Sequence, residues 1–495
     1  MNDRHIGPVE VSPPQPGRGR GVVAREDLQP GSLLFVSEPV GSVLEGQLGQ
    51  QLQPQHLLQH WKTSQQGLSA ADRVKLSLLH RPSSSSSTPP PISFKDFSTS
   101  KASSKAKKAS AKGFGAAPAK QAGNAAAAAA AAAAVELTDE QLEAVVACNA
   151  YGDDHTDATL TYCRQEQQRS VIGLFPEFSL LNHSCAPNTA APVLLRDRLL
   201  LRTAVVVPAG QELTTSYLST AGGMPRQQRQ QLLQQHYGFV CGCHRCKAEE
   251  QAAPDITATL QAMHAFSSSI DAPQLLQLMA AAGDEASTAK LTTLHQQASK
   301  LVQQLEDQLQ QHVTEPVVAQ WLRASGYDTL ALMLRTGEFL AGVKDVAAAK
   351  RLAELVRVFV PASEPHLLLL SDSAVRAAEA AAAGGPAPTA PEDTQELRVA
   401  QLVRELRVAQ LVRALALRYG EPRDMDLLTT LAGALSASLT PHWLGLIDLD
   451  GAMGLQQLMQ QLAAAGSAAA GAAGSDGGGS RRKVEMDASQ LGQLQ

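Results

Sequence analysis

Aromatic residues are scarce in this chain, at only 4% of 495, and much of its 44% apolar content is alanine in low-complexity runs. The folded part is therefore smaller than the length allows, although two or three domains with real cores remain within reach. Positive charge is not in excess either. A net charge of −5 and a pI of about 6.2 argue against sequence-independent binding to a nucleic-acid backbone, which needs a concentrated basic face. No window holds the ~18 consecutive apolar residues of a membrane span. The alanine run over 125–134 is too short, with Gly, Ser and Lys as neighbours, and Met1–His5 opens no apolar signal core. A soluble intracellular monomer is expected, in nucleus, cytoplasm or both, with neither nucleic acid nor membrane as partner.

Cysteine is also sparse. Six in this length make no disulfide framework, and none lies between Glu45 and Leu137. Three of them crowd into Cys241-Gly-Cys243-His-Arg-Cys246, a spacing that points to metal in an intracellular chain. A structural zinc site takes four tetrahedral ligands and suits thiolates. The run supplies three. For the fourth, His244 sits inside the run and is poorly placed to turn inward, whereas Cys185 lies in a strongly patterned segment.

Residues 1–46 read as short strands and turns, with Val9–Val11, a Gly17–Gly21 turn, Val22–Ala24, Leu28–Gly31 and Leu33–Val36 in succession. Residues 47–81 carry helical apolar spacing at Leu52, Leu57, Leu58, Trp61, Val74, Leu76, Leu78 and Leu79. From Pro82 to about residue 137, serine, proline, lysine and alanine runs predict a disordered insertion, since they bury too little to offset chain entropy. Its Lys101–Lys112 stretch reads as a solvated linker or an import signal.

Order returns at Thr138 and Gln141, spaced as a capping box before a helix that leads to Cys148-Asn149-Ala150-Tyr151. Val171–Leu181, the strand pair Thr189–Leu194 and Leu199–Val207, and Glu212–Tyr217 follow over 138–223. A Gln/Arg-rich helix then opens the cysteine segment, 224–250. Residues 251–463 are helical in pattern, with a linker near 382–391, and 464–495 are expected to form a disordered tail. Glu396–Arg404 and Glu405–Arg413 are tandem copies of one nonapeptide. Nine residues turn a helix about two and a half revolutions, leaving the copies on opposite faces, so they read as a sequence duplication.

Leu180-Leu181-Asn182-His183-Ser184-Cys185-Ala186-Pro187-Asn188 sets polar and metal-capable groups directly after an apolar stretch. Alone, its composition favours an Asx/Ser turn after a buried strand. It does not stand alone. The segment resembles the NHSCxPN signature of SET-domain methyltransferases, and residues 9–39 resemble that family's opening strands. Glu212–Tyr217 resembles its catalytic segment, and Tyr237–Cys246 its post-SET zinc segment. Cys148–Tyr151 and Gly173–Pro176 are similar to stretches of the SMYD subfamily in the same order. That subfamily's MYND finger needs a dense Cys/His array that the cysteine-free stretch does not offer, so a SMYD-like chain without the finger is expected.

The resemblance implies an α+β fold: a SET domain of small sheets with knot-like threading and a post-SET zinc site, followed by an all-α domain. It implies a protein-lysine N-methyltransferase using S-adenosylmethionine and one structural zinc, acting on a lysine of a histone or non-histone protein. A catalytically inactive SET scaffold for protein interactions is the alternative. By resemblance, Tyr217 is the catalytic tyrosine. Arg18, Gly19, Arg20, Asn149, Asn182, His183, Tyr217 and Phe239 hold the cofactor, Tyr237 and Phe239 wall the lysine channel, and Cys185, Cys241, Cys243 and Cys246 bind zinc. The C-terminal helices read as either a docking surface or plain helical packing.

Overall fold

Apolar residues in the strand-forming segments, such as Val22–Ala24, Leu33–Val36 and Leu199–Leu201, come in short runs between turns or polar residues, a spacing that supports short strands. The computed structural model describes residues 4–15, 19–44, 52–63, 68–79, 92–94, 137–153, 170–195, 198–281, 284–342, 345–383 and 410–420. Its strands are β1 His5–Ile6, β2 Val9–Val11, β3 Val22–Ala24, β4 Leu33–Ser37, β5 Gly41–Leu44 and β6 Ala150–Asp153. They continue with β7 Val171–Leu174, β8 Asn182–His183, β9 Val193–Leu195, β10 Arg198–Arg202 and β11 Glu212–Thr215. They form three sheets, ordered β1-β4-β10-β9, β2-β3-β11-β8 and β5-β7-β6. All pairs are antiparallel except β8 with β11, where Asn182 faces Thr214 and His183 faces Thr215. That parallel contact brings two segments 30 residues apart side by side.

Helices flank these sheets: α1 Pro54–Thr63, α2 Ala70–Ser77 and α3 Asp139–Asn149. The capping box is present, Thr138 Oγ1 accepting from Gln141 N–H while Gln141 Oε1 accepts from Thr138 N–H. Then come α4 Arg226–Tyr237 and α5 His244–Glu250, which lead into α6 Pro254–Ser268, α7 Ala272–Ala280 and α8 Glu285–His312. The chain continues through α9 Pro316–Ala324, α10 Tyr327–Ala341, α11 Val346–Phe359 and α12 Glu364–Ala383. The fold is α+β, small sheets followed by a helical region. Among the described residues no helix is long and apolar enough to cross a membrane.

Two cores meet at one sheet. Phe35, Leu199 and Leu201 pack with Leu34, Val145, Leu174 and Leu181 in the β-rich core. Val36 and Leu200, on the same strands, pack with Leu260, Leu330, Val356 and Phe359 of the helical region. Strands covered on both faces read as unbroken apolar runs, as Leu33–Val36 and Leu199–Leu201 do.

Several details differ from the sequence expectation. The strand expected to reach Val207 ends at Arg202, after which Thr203 and Val207 make only isolated bridges to Thr189 and Leu28. Within the expected disordered segment, Phe94 is buried with its ring centroid 5.4 Å from that of Phe35, and Arg4 donates to its carbonyl at 3.0 Å. One aromatic in that polar stretch thus completes the β-rich core, a contact that composition averaged over the segment conceals. Residues 95–136, including Lys101–Lys112, the linker beyond 383, the tail and the first nonapeptide copy lie outside the described residues. The end of the second copy is helical over 410–419. It buries Leu411, Ala414, Leu415 and Tyr419 against the helical core.

Candidate active site and cysteine cluster

The β8–β11 contact places the polar segment after Leu181 against the segment ending in Tyr217. Tyr217 donates its hydroxyl to the Leu181 carbonyl, which fixes the ring across the strand end. Its backbone N–H donates to His183 Nδ1 at 3.0 Å, and His183 Nε2 lies 3.3 Å from Cys185 Sγ. A ring nitrogen that accepts an amide proton is unprotonated, so the other carries the proton and donates it to sulfur. One imidazole thereby links Tyr217 to Cys185.

Asn182 is similarly engaged. Its Nδ2 donates to the Arg20 carbonyl at 3.0 Å and to Glu212 Oε1 at 2.7 Å. It therefore ties the glycine-rich turn to β11. Asn188 adds a second tie, donating to the Glu212 carbonyl at 2.8 Å and accepting from Thr214 N–H at 2.7 Å. Gly21 is required here because a Cβ would sit 2.5 Å from Glu212 Oε1 and 3.1 Å from Asn182 Nδ2. A Cβ at Gly19 would meet nothing within 4 Å, so the turn keeps an open side where a ligand could approach backbone.

Aromatic rings gather on Tyr217. Tyr237 lies 4.9 Å away between centroids, His183 5.3 Å and Phe239 6.3 Å, the last edge-on. Burial, then the neighbouring Tyr237, Glu212 and Cys148, pushes the Tyr217 phenol well above the usual tyrosine range, so it stays neutral. Burial also raises Tyr237. Tyr237 and Phe239 flank Gly238, which ends α4 in the left-handed conformation at φ 74°.

The cysteines meet across this site. The Sγ atoms of Cys185, Cys241, Cys243 and Cys246 all lie within 4.8 Å of one another, and all four residues are buried. Cys185 and Cys246 are 3.5 Å apart at sulfur, too far for a disulfide. Four thiolates around a tetrahedral zinc sit about 3.8 Å apart, from Zn–S distances of about 2.3 Å. The donor set therefore fits zinc. Thiol hydrogen bonds from Cys241, Cys243 and Cys246 hold Cys185 well below the usual thiol range, while hydrogen bonding within the cluster, first to Cys185, raises Cys241 and Cys246. A thiolate is the form that binds metal.

Of the other residues expected at the site, Arg18 lies outside the described residues. Arg20 turns its guanidinium to the Leu78 carbonyl at 2.6 Å, past the end of α2, so it is the Arg20 main chain that meets Asn182. Asn149, buried at the end of α3, donates to the Val145 carbonyl at 2.7 Å, and its own carbonyl accepts from Ser179 Oγ at 3.3 Å.

Residues 19–218 match the family model described as SET domain. This chain carries a SET domain. The chain is similar to the histone-lysine N-methyltransferase SMYD3 of Mus musculus, 37% identical over 118 residues, 24% of this chain and 25% of that protein. It is similar to the histone-lysine N-methyltransferase ASHR1 of Arabidopsis thaliana, 36% identical over 100 residues, 20% of this chain and 18% of that protein. The human protein-lysine N-methyltransferase SMYD4 is 37% identical over 83 residues, 17% of this chain and 10% of that protein. The aligned stretches thus span about a quarter or less of these relatives.

Sequence reasoning did not single out Asn188, or Glu212 as a ligand of Asn182. Their signal is the pairing of β8 with β11, which no local pattern encodes. It also missed Arg229, Arg245 and Glu249 behind the cysteines. Arg245 lies inside the Cys241–Cys246 run, where the cysteines drew the attention.

Proposed function

We propose that this SET domain transfers a methyl group to the side-chain amine of a lysine in a protein, histone or non-histone. The observation that carries the reading is the convergence of Tyr217 with Leu181, Tyr237 and Phe239 beside the paired strands β8 and β11. S-adenosylmethionine, when bound, supplies an electrophilic methyl on a sulfonium centre. The open side of Gly19, the main chain at Arg20, Asn182 and His183, and the Asn149 region are the surfaces that would hold it. Arg18 and Phe239 would complete its contacts.

Tyr217 is the catalytic residue in this reading. With its proton committed to the Leu181 carbonyl, the phenol oxygen keeps lone pairs for a polarised methyl or an incoming amine. The amine must be neutral to attack. Walls of Tyr237 and Phe239 lower a lysine pKa by desolvation and keep water from competing. Cys185, Cys241, Cys243 and Cys246 would hold one zinc ion in a structural role, joining the segment that carries Tyr237 and Phe239 to the strand end at His183.

The test is labelled methyl transfer from S-adenosylmethionine to histones and to cell lysate protein, comparing the chain with its Tyr217→Phe variant. Labelling is expected from the first and a loss of about 100-fold or more in the second. Equal labelling by both would remove Tyr217 from the mechanism. A chain that binds no S-adenosylmethionine would instead favour the non-catalytic scaffold.

A further inference from the structure

Behind the cysteine cluster lies a fully buried group of charges. Arg229 on α4 and Arg245 on α5 each have side chains 0% exposed, and Glu249, 3% exposed at its side chain, pairs with both at 2.8 and 2.7 Å. Among the described residues no other carboxylate lies within ion-pair distance of either guanidinium. Two positive charges thus face one negative charge, in a place where water cannot screen the excess. A buried unpaired guanidinium is costly, and burial ordinarily demands a partner.

The missing negative charge is next door. Arg229 Nη2 lies 3.8 Å from Cys246 Sγ, and Arg245 Nη1 donates to the Cys185 carbonyl at 3.0 Å. A zinc ion held by four thiolates carries two net negative charges. Arg229 Nε is buried with no hydrogen-bond partner, while Nη1 and Nη2 are taken up by the Met224 carbonyl, Ser325, Glu249 and the Cys246 sulfur. The same group reaches the helical region through one side chain. Ser325, at the end of α9, accepts from Arg229 Nη1 at 3.1 Å and Arg245 Nη2 at 2.7 Å, and donates to Glu249 at 2.9 Å.

We infer that Arg229 and Arg245 are the charge partners of the zinc-thiolate cluster, and that through Ser325 they fasten the cluster to the helical region. This rests on the zinc reading of the four cysteines given above. Arg229 is then a positioning residue: it stabilises the anionic cluster that sets the Tyr237–Phe239 wall, without touching substrate. The charge reading makes a prediction of opposite sign for the two halves of one ion pair. Removing the Arg229 charge should loosen zinc. Removing the Glu249 charge leaves more positive charge beside the thiolates and should not.

The experiment measures zinc content of the full chain by elemental analysis, then zinc release to a chromophoric chelator in wild type, Arg229→Met, Arg229→Lys and Glu249→Gln. Wild type is expected to hold one zinc. Arg229→Met should release it about tenfold faster or more, the scale of change typical of residues supporting metal ligands. Arg229→Lys should recover most of the retention, and Glu249→Gln should release no faster than wild type. Release from Arg229→Met at the wild-type rate would overturn the inference. So would Glu249→Gln releasing as fast as Arg229→Met, since that marks a packing network indifferent to charge sign. Should Arg229→Met not fold, the Glu249→Gln and Arg229→Lys rates still decide. A wild-type chain without zinc would instead defeat the zinc reading itself, ahead of this inference.

Discussion

At the scale of single residues, the site is held by side chains that each serve two segments. Asn182 joins the Arg20 carbonyl to Glu212, and His183 joins Cys185 to the Tyr217 amide. Gly21 shows how close the approach is. Gly21→Ala would drive Glu212 from Asn182, and the overpacking should cost about 1–3 kcal/mol in denaturant unfolding. An unchanged midpoint would mean that the carboxylate swings aside freely. Tyr217 carries a prediction in pH. Its phenol is raised above the ordinary tyrosine value of 10.0, first by burial and then by the neighbouring Tyr237, Glu212 and Cys148, so the neutral form persists as pH climbs through that value. Methyl transfer should therefore rise with pH as the substrate amine loses its proton, without a falling limb near pH 10. A falling limb with its midpoint there would show Tyr217 ionising as an exposed tyrosine does.

At the scale of elements, the turn after α4 positions two of the four aromatic rings at the site. Gly238 has φ 74°, and a Cβ there would meet no atom within 4 Å, so substitution is charged to the backbone alone. Gly238→Ala should destabilise by about 1–2 kcal/mol, the usual left-handed penalty for an L-residue. Gly238→Asn should lose less, because Asn tolerates that conformation. Equal losses would point to a side-chain clash instead. Much of this level was legible in the sequence. The capping box at Thr138, the turn residues around Val22–Ala24 and the crowding of Cys241–Cys246 are all local patterns with local physical causes. What was not legible is the meeting of distant segments. Phe94 looks like an isolated aromatic in a polar run until Phe35 is beside it. Arg229 looks like one more charge in a Gln/Arg-rich helix until both its faces are closed by α5 and Ser325.

At the scale of the whole molecule, the β-rich part and the helical region share a sheet, and a second contact pins them at the turn between α11 and α12. Ala191 N–H donates to the Pro361 carbonyl at 2.8 Å, and Arg418, beyond the duplicated nonapeptide, donates to the Ala362 carbonyl at 3.1 Å. Ala362 itself holds φ at 55°, an unusual conformation for alanine. His366 Nδ1 keeps the turn in place by accepting the Ala362 N–H at 3.0 Å. Only a neutral imidazole can accept there. Burial, then the Arg357 charge, pushes His366 down to about 3 from an ordinary 6.5. The unfolded chain therefore binds a proton that the folded chain refuses throughout that interval. Stability from this residue is complete above pH 6.5 and drains away as pH falls toward 3, about 2 kcal/mol having gone by pH 5. His366→Asn places an oxygen acceptor where Nδ1 stands and cannot titrate. Urea unfolding at pH 7 and pH 5 should show the variant losing about 2 kcal/mol less than wild type between the two. Identical losses would mean that acid acts elsewhere and that the inter-region turn is held without a neutral His366.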